Sequence, residues 1–299
     1  MSHRFLYLVI AAIAASVLAA ACAASAPQII PTVTNPFDQK VDVGGHSMHI
    51  RCTGEGLPTV VVETGFGEPG AGGESSSWKN VVPVIEERTR VCVYDRAGLG
   101  SSDVAPGENR TSRDIARDLH TLLADAGVPG PYVLVGHSLG GFHVRVFASD
   151  YADEVAGIVL VDASSPDQWA AIEAVLPPAS ADEPASFRRI RLLPPASLPE
   201  KLDIPTNIRQ VRAVKSFGSL PLVVLSHSPT WSVDPNLSPE LSAKIEQVWD
   251  GLQDELAGLS SNSTHVIATH AGHYIQVDEP QLVIDAILKV IDEAKRQGR

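Results

Sequence analysis

The sequence predicts an α/β protein built on a mostly parallel, eight-stranded sheet with helices on its faces, and three observations support that prediction. Short apolar runs alternate with amphipathic segments along most of the chain, which is the pattern of successive βα units. Runs such as Val60–Val62 and Ile158–Val161 are continuously apolar, as strands covered on both faces are. The segments between the runs repeat apolar residues at helical spacing. Helices are therefore expected to cover both faces of the sheet.

Each element of that fold has a local signal in the sequence. Amphipathic helices are predicted where apolar residues recur every three or four positions, namely from Ile115 to Leu123, from Leu241 to Leu256, and from about Glu279 to Ala294. Strands are predicted where short runs rich in Val, Ile, Leu and Tyr lie between turn residues. The eight predicted strands are, in chain order, 41–43, 46–52, 59–63, 90–94, 132–135, 157–161, 220–225 and 265–269.

The composition and charge of the 299-residue chain exclude several classes of protein. With 44% hydrophobic and 19% charged residues, the chain has enough apolar side chains for one large core and is not disordered as a whole. Its net charge of -12 has the wrong sign for neutralising phosphates, so nucleic acid is not an expected partner. Three cysteines without a Cys-x-x-Cys or His-Glu-x-x-His pattern give no zinc-ligand spacing. No metal and no cofactor are expected.

Residues 1–23 are predicted to be an export signal rather than part of the fold. Arg4 precedes an uncharged apolar stretch that ends in the small residues Ala21, Cys22 and Ala23, which suit a signal peptidase. Two alternatives stay open: lipid attachment to Cys22, and retention of the stretch as a membrane anchor, since its length approaches the roughly 20 residues that span a bilayer. We expect an exported protein that is secreted, periplasmic or a cell-envelope lipoprotein, with a lipid on Cys22 as its membrane contact in the last case.

The distribution of proline divides the rest of the chain. Residues 24–40 form a Pro-rich leader, and residues 41–163 and 220–299 carry the strand and helix patterns of the core. Between these two parts, residues 164–219 hold eight prolines, short helical patterns and no clear strand. Structureless connections longer than about 15 residues are uncommon within a domain. This segment is therefore predicted to be a small helical cap inserted over the functional site.

The strongest chemical signal is Gly136-His137-Ser138-Leu139-Gly140, which follows an apolar strand and precedes a helix. In that context the pattern is typical of a nucleophile elbow, a sharp turn that exposes a serine above the sheet. Glycines are needed two positions either side of the serine because the turn brings their neighbours close. Ser138 is therefore the predicted nucleophile, and the adjacent His137 is assigned a packing role.

A serine hydroxyl needs a histidine base, and the histidine needs an acid behind it. His273 follows the last predicted strand and precedes the last helix, so it is expected at the carboxyl edge of the sheet together with Ser138. Asp162 ends the strand that follows the Ser138 helix and reaches the same edge. Asp234 is the alternative acid, because the strand 221–225 is followed by no carboxylate until that position.

The oxyanion that forms during acyl transfer needs preorganised amide donors. The backbone N–H of Leu139, directly after the nucleophile, is one predicted donor. The second predicted donor is the N–H of Phe66, in the loop Thr64-Gly65-Phe66-Gly67. Small residues in that loop let the main chain approach the site. Phe66 and Leu139 are therefore expected to flank Ser138.

These motifs together resemble the α/β-hydrolase superfamily. The likeness runs in order through most of the chain after the signal, and its members are the loop Gly65–Gly67, the turn Asp95–Ser102, the elbow at Ser138, then Asp162, and finally Gly272-His273. Two features depart from the family's pattern: Glu63 stands in the region of the oxyanion loop where histidine is usual, and the usual acid after the seventh strand is missing. Some members carry the acid after the sixth strand, which suits Asp162. The resemblance implies the α/β-hydrolase fold.

The resemblance also bears on Cys52 and Cys92, the two cysteines that remain after the predicted signal. An exported chain meets an oxidising compartment, in which disulfides form. The family's strand order sets the second strand beside the fourth, and these two strands carry the two cysteines. The resemblance therefore implies a disulfide between Cys52 and Cys92.

A serine at the elbow implies an acyl-enzyme, because epoxide hydrolases and haloalkane dehalogenases of the superfamily use an aspartate there. We expect a cofactor-free hydrolase of carboxylic esters or related acyl bonds, acting on a small-molecule ester-like substrate through Ser138, His273 and an acid. Two alternatives remain. One is a cofactor-free haloperoxidase or acyltransferase that uses the same serine, and the other is a non-catalytic binding protein that retains the fold.

Overall fold

The computed structural model describes residues 36–72, 76–191, 199–231 and 237–299. The strands in these ranges are β1 (Phe37–Asp42), β2 (Ser47–Thr53), β3 (Thr59–Glu63), β4 (Val91–Tyr94), β5 (Tyr132–His137), β6 (Val155–Val161), β7 (Leu222–Ser226) and β8 (Ser263–Ile267). The α-helices in these ranges are α1 (Val82–Ile85), α2 (Ser112–Asp125), α3 (Gly140–Asp150), α4 (Gln168–Val175), α5 (Ala185–Arg191), α6 (Ile204–Ala213), α7 (Pro239–Ala257), α8 (Ile275–Asp278) and α9 (Pro280–Arg296).

The strands form one eight-stranded sheet in the order β1-β2-β4-β3-β5-β6-β7-β8. β2 runs antiparallel to both β1 and β4, and all other neighbours are parallel. The predicted mostly parallel, eight-stranded sheet is thereby confirmed. Because parallel strands end at a common edge, the residues that follow β3, β5, β6, β7 and β8 meet on one side of the molecule.

The central strands are buried on both faces because their side chains alternate between two layers of helices. On one face, Val61 and Leu134 pack in a core to which α2 and α3 contribute. On the other face, Val60 and Val133 pack in a core to which α1 and α9 contribute. The continuously apolar runs in the sequence therefore correspond to strands with no solvated face.

Cys52 on β2 lies opposite Cys92 on β4 in the antiparallel register. A disulfide joins the two side chains, and both residues are fully buried. The strand order that the resemblance implied therefore brings these two cysteines together.

Most strand boundaries differ from the predicted ones by one or two residues, and the start of β1 differs by four. β1 begins at Phe37, inside the leader predicted over 24–40, because this segment pairs with β2 along its whole length and packs Phe37 and Val41 against the core. The last strand ends at Ile267 rather than at the predicted residue 269. The predicted export signal, with Cys22, and the leader before Pro36 lie outside the described residues.

The segment that was predicted as a cap, residues 164–219, contains α4, α5 and α6 and no strand in its described part. α4 packs on α7, and α6 packs on α2 and α3. In the portion of the chain that the structure describes, no helix has both the length and the apolar character that crossing a bilayer requires.

Candidate active site

Ser138 lies in the tight turn between β5 and α3. Its φ of 53° is in the left-handed region, which few residues other than glycine adopt. A Cβ on Gly136 would lie 2.6 Å from Val144 Cγ2, and a Cβ on Gly140 would lie 2.6 Å from the carbonyl oxygen of Thr64. Because no side chain fits at either position, the two glycines permit the elbow that exposes Ser138 at the carboxyl edge of the sheet.

The ring of His273 connects Ser138 to Asp162. His273 Nε2 lies 2.9 Å from Ser138 Oγ, and His273 Nδ1 lies 2.6 Å from Asp162 Oδ2. Asp162 follows β6 directly, and His273 lies in the loop between β8 and α8. The structure thus brings these three predicted residues into one hydrogen-bonded line, in which the carboxylate orients the ring and the far nitrogen faces the hydroxyl.

The Asp162 carboxylate is fully buried and is surrounded by hydrogen-bond donors. Besides His273, Trp249 Nε1 donates to Oδ1 at 2.9 Å, and His227 Nδ1 lies 2.9 Å from both carboxylate oxygens. Burial alone would raise the pKa of Asp162, but the hydrogen bonds from His227 and His273 outweigh burial and hold the pKa well below its usual range. Asp162 is therefore a charged carboxylate at neutral pH. Asp234, the alternative acid, lies outside the described residues.

The loop after β3 packs directly against the elbow. A Cβ on Gly65 would lie 3.3 Å from Ser138 Cβ, so the predicted oxyanion loop faces Ser138. Among the described residues, no partner accepts a hydrogen bond from the backbone N–H of Phe66 or of Leu139. Both amides are therefore available to a negatively charged oxygen that forms beside Ser138.

Buried charges hold the oxyanion loop in place. Arg96 donates from Nη1 to the carbonyl oxygen of Thr64 at 2.7 Å and from Nη2 to that of Gly65 at 2.6 Å. The Nε of Arg96 donates to Glu200 Oε1 at 2.6 Å, and Glu200 Oε2 accepts the N–H of Gly67 at 2.8 Å. Glu200 belongs to the predicted cap segment, so a residue from that segment fixes the loop from one side while Arg96 fixes it from the other.

Glu63 completes this buried network. It has no exposed surface and accepts hydrogen bonds from Arg96 Nη1 at 2.7 Å, from His143 Nδ1 at 3.0 Å and from the Tyr94 hydroxyl. Burial by itself lowers the pKa of Arg96, but the paired carboxylates outweigh burial and raise it. Glu63 is therefore an anchor for the loop. In the sequence, Glu63 stands out only as a departure from the family's pattern, and the only signal for Arg96 is the turn Asp95–Ser102.

His137 has more than the packing role that the sequence analysis assigned to it. Its Nε2 lies 2.9 Å from the backbone carbonyl oxygen of His273, and the two ring centroids are 4.8 Å apart. On the other side of the ring, Nδ1 lies 3.5 Å from Glu68 Oε2. Donation from Nε2 fixes the main chain that carries the His273 ring. The signal that pointed to this role was the position of His137 beside Ser138.

A cavity of about 260 Å³ opens beside Ser138 and His273. The residues that line this cavity were not predicted as site residues, because residues in helical apolar stripes are ordinarily core residues. Within the described ranges, no group of three or more His, Cys, Asp or Glu side chains is arranged to hold a metal ion. Aromatic and aliphatic side chains form part of the cavity lining, and these are Trp169, Ile172, Trp231, Ile245 and Trp249. Besides the three predicted catalytic residues, the polar side chains of the lining are those of Ser164, Gln168, His227 and Glu246.

Comparison with known families and structures agrees with the observed fold. A family model described as alpha/beta hydrolase fold matches residues 58–196. A thermophilic esterase from Thermogutta terrifontis, solved with malate bound, is similar in structure, with a TM-score of 0.59 over 86% of this chain and 99% of that chain, at 23% sequence identity. The likeness to the solved structure establishes the α/β-hydrolase fold.

Two sequence relatives match different lengths of the chain. The uncharacterized protein YqjL of Bacillus subtilis is 29% identical over 255 residues, which are 85% of this chain and 90% of that protein. The 2-hydroxy-6-oxononadienedioate/2-hydroxy-6-oxononatrienedioate hydrolase of Klebsiella pneumoniae is 33% identical over 123 residues, which are 40% of this chain and 42% of that enzyme. The chain spans less than half the length of several other curated relatives. By its strand order and by the matched family model, the chain has the α/β-hydrolase fold.

Proposed function

We propose that the protein is a serine hydrolase that cleaves carboxylic esters of small molecules through an acyl-enzyme. The observation that carries the proposal is the line of contacts from Ser138 Oγ through the His273 ring to the buried Asp162 carboxylate, with distances of 2.9 Å and 2.6 Å. A binding protein has no need for a base and a buried acid behind an exposed hydroxyl. The arrangement is what generates a serine nucleophile at neutral pH.

The proposed reaction assigns a role to each of these residues. His273 Nε2 takes the proton from Ser138 Oγ as the oxygen attacks the ester carbonyl, and the charge on Asp162 stabilises the imidazolium. The free N–H groups of Phe66 and Leu139 stabilise the resulting oxyanion. When the intermediate collapses, His273 returns its proton to the departing alcohol. The same ring then activates water, and hydrolysis of the acyl-enzyme restores Ser138.

The comparisons support a hydrolase, since the structural neighbours include both an esterase and an epoxide hydrolase. One structural neighbour is titled an esterase, and one sequence relative is named as a hydrolase. The elbow carries Ser138, not the aspartate that epoxide hydrolases need there, which supports acyl transfer to serine. The tryptophan and isoleucine walls of the cavity favour an ester whose acyl or alcohol group is apolar and uncharged.

The test is hydrolysis of p-nitrophenyl esters of graded acyl length by the wild-type protein, by Ser138→Ala and by Ser164→Ala. Ser164 is a matched control because it lines the same cavity and has no place in the mechanism. We expect hydrolysis by the wild type and by Ser164→Ala, and a loss of about 10⁴-fold or more in kcat for Ser138→Ala. Equal hydrolysis by all three proteins would contradict the proposal.

Two other outcomes separate the remaining alternatives. An acyltransferase would use the same serine but would deliver the acyl group to an added alcohol in preference to water, and a haloperoxidase would give a peroxy acid with hydrogen peroxide. Both products are identified by mass spectrometry of the reaction mixture. A protein that binds the ester without product formation would indicate a non-catalytic function.

A further inference from the structure

A second histidine, His227, lies behind Asp162. Its Nδ1 is 2.9 Å from both oxygens of the Asp162 carboxylate, and its Nε2 is 2.6 Å from Glu246 Oε2. His227 directly follows β7, and Glu246 lies on α7. The line of hydrogen bonds that begins at Ser138 and His273 therefore continues through Asp162 to a second imidazole and a second carboxylate.

The protonation state of His227 follows from this geometry. An ionised carboxylate only accepts hydrogen bonds, so a ring nitrogen that faces one must carry a proton. Both ring nitrogens of His227 face carboxylates, and Asp162, His227 and Glu246 are 0%, 6% and 8% exposed, which leaves little water to substitute for a missing proton. Burial by itself lowers the pKa of His227, but the hydrogen bonds and charges of the two carboxylates raise it to about 9.

The indole ring of Trp249, which stacks on the His227 ring, also favours the charged form of His227. The ring centroid of Trp231 is 4.7 Å from that of His227, and the ring centroid of Trp249 is 5.7 Å away at an interplanar angle of 24°. A cation beside the face of an indole is stabilised by the ring quadrupole. The groups that face His227 are thus Asp162 after β6, Trp231 after β7, and Glu246 and Trp249 on α7, and the charged ones are both anionic.

We propose that His227 is a positioning residue that remains an imidazolium through the neutral range, fixes the Asp162 carboxylate and weakens the hold of that carboxylate on a proton at His273. The proposal rests on the proposed function. Two imidazole rings share one carboxylate, and a permanent cation on one side makes a second cation on the other side less favourable. The His227 cation therefore opposes a second positive charge on His273, which faces Asp162 on one side and the rings of His137 and Tyr274 on others.

The test uses two substitutions that change the local charge in opposite directions. His227→Gln removes the cation and leaves Glu246, so we expect the acid limb of the pH profile of kcat/KM to move up by about one pH unit. Glu246→Gln removes the anion and leaves the cation, so the acid limb is expected to move down. His120→Gln is the matched control, because His120 pairs with Glu154 at 3.0 Å outside the site, and its profile is expected to match the wild type.

If His227 had only a packing role, its substitution would lower kcat/KM without moving the pH profiles of His227→Gln and Glu246→Gln in opposite directions. Shifts of the same sign in His227→Gln and Glu246→Gln, or no shift in either, would overturn the proposal. The NMR titration of the His273 ring in the same proteins measures the same effect without turnover, so a failure of the proposed esterase activity is distinguished from a failure of this proposal.

A further measurement needs no variant. In ¹⁵N NMR spectra of the wild-type protein at pH 7, both ring nitrogens of His227 are expected to be protonated, whereas an exposed histidine is mostly neutral at that pH. A neutral His227 ring at pH 7 would overturn the proposal even if neither variant folds.

Discussion

His273 Nε2 lies 2.9 Å from Ser138 Oγ, although 135 positions separate the two residues in the chain. The parallel strands β5 and β8 end at the same edge of the sheet, and each of the two residues follows its strand within a short loop. The same edge brings Asp162, after β6, to the other nitrogen of the ring. Proximity of the hydroxyl, the base and the acid is therefore a consequence of the sheet topology.

Removal of the charge on Asp162 is expected to disable the site. In Asp162→Asn the side chain no longer stabilises the His273 imidazolium and can present an N–H to the ring, so we expect kcat/KM for a p-nitrophenyl ester to fall by about 10³- to 10⁴-fold. Asp167→Asn is the control, since Asp167 pairs with Arg212 at the surface. Activity of Asp162→Asn within threefold of the control would show that another acid, such as Asp234, serves His273.

Loss of Glu200 is expected to loosen the oxyanion loop. In Glu200→Ala, Arg96 Nε and the Gly67 N–H lose their acceptor, and breaking one partner of a buried ion pair costs about 3 kcal/mol of unfolding free energy. We expect that loss in urea unfolding, together with a fall of about tenfold in kcat, since the Phe66 amide shifts.

The surface pair Glu108 and Lys201 supplies the comparison for Glu200. Lys201 Nζ lies 2.9 Å from Glu108 Oε1, and the Glu108 side chain is 71% exposed. Glu108→Ala is therefore expected to change the unfolding free energy by less than about 1 kcal/mol and to leave kcat unchanged. Equal effects of the two substitutions would contradict the role of Glu200.

Stability is expected to fall as the pH rises from neutral to alkaline. The pKa of His227 is raised from 6.5 to about 9 in the folded protein, so its contribution is complete below pH 6.5 and is lost as the pH rises through 9. That change corresponds to a loss on the order of 3 kcal/mol in unfolding free energy, measured by urea unfolding at pH 6 and pH 9. The loss should be smaller in His227→Gln, and an equal loss in both proteins would contradict this assignment.

Because of Asp162, stability is also expected to fall as the pH drops into the acid range. Its pKa is lowered from 3.8 in the folded protein, so its contribution is complete above that value and is lost as the pH falls further. We expect the free energy of unfolding to decline below about pH 4 in the wild type, and less steeply in Asp162→Asn. If the free energy of unfolding fell equally steeply with acid pH in both proteins, Asp162 would not be held as a charged carboxylate.

The disulfide between Cys52 and Cys92 is expected to stabilise the fold. It closes a loop of sequence separation 40, for which the loss of chain entropy in the unfolded state predicts a contribution of about 3 to 4 kcal/mol. Urea unfolding with and without reductant measures that contribution. Alkylation of both thiols in unfolded protein that has not been reduced would show that the disulfide is absent.

The elements that the sequence predicted correctly are those determined by neighbouring residues in the chain. The apolar runs around Val61 and Val159 identify strands because both faces are covered, and the glycines around Ser138 identify the elbow because no Cβ fits there. The start of β1 at Phe37 was missed, since a short edge strand beside prolines has a weak pattern.

The contacts that could not be predicted join residues that are far apart in the chain. His227 bonds to Asp162 across 65 positions, and Arg96 bonds to Glu200 across 104 positions. A polar residue at the end of a strand indicates the functional edge but not its partner, because the partner depends on how neighbouring loops pack. The sequence therefore predicted a nucleophile, a base and an acid that the fold brings together, and left the supporting charges unassigned.

The most direct measurement of the central claim is mass-spectrometric mapping of the adduct that a fluorophosphonate forms with the folded protein. We expect one adduct, on Ser138, with none in Ser138→Ala and much slower labelling in His273→Ala, because the hydroxyl reacts only when His273 takes its proton. An unlabelled Ser138 in folded wild-type protein, or equal labelling rates with and without the His273 ring, would contradict the account.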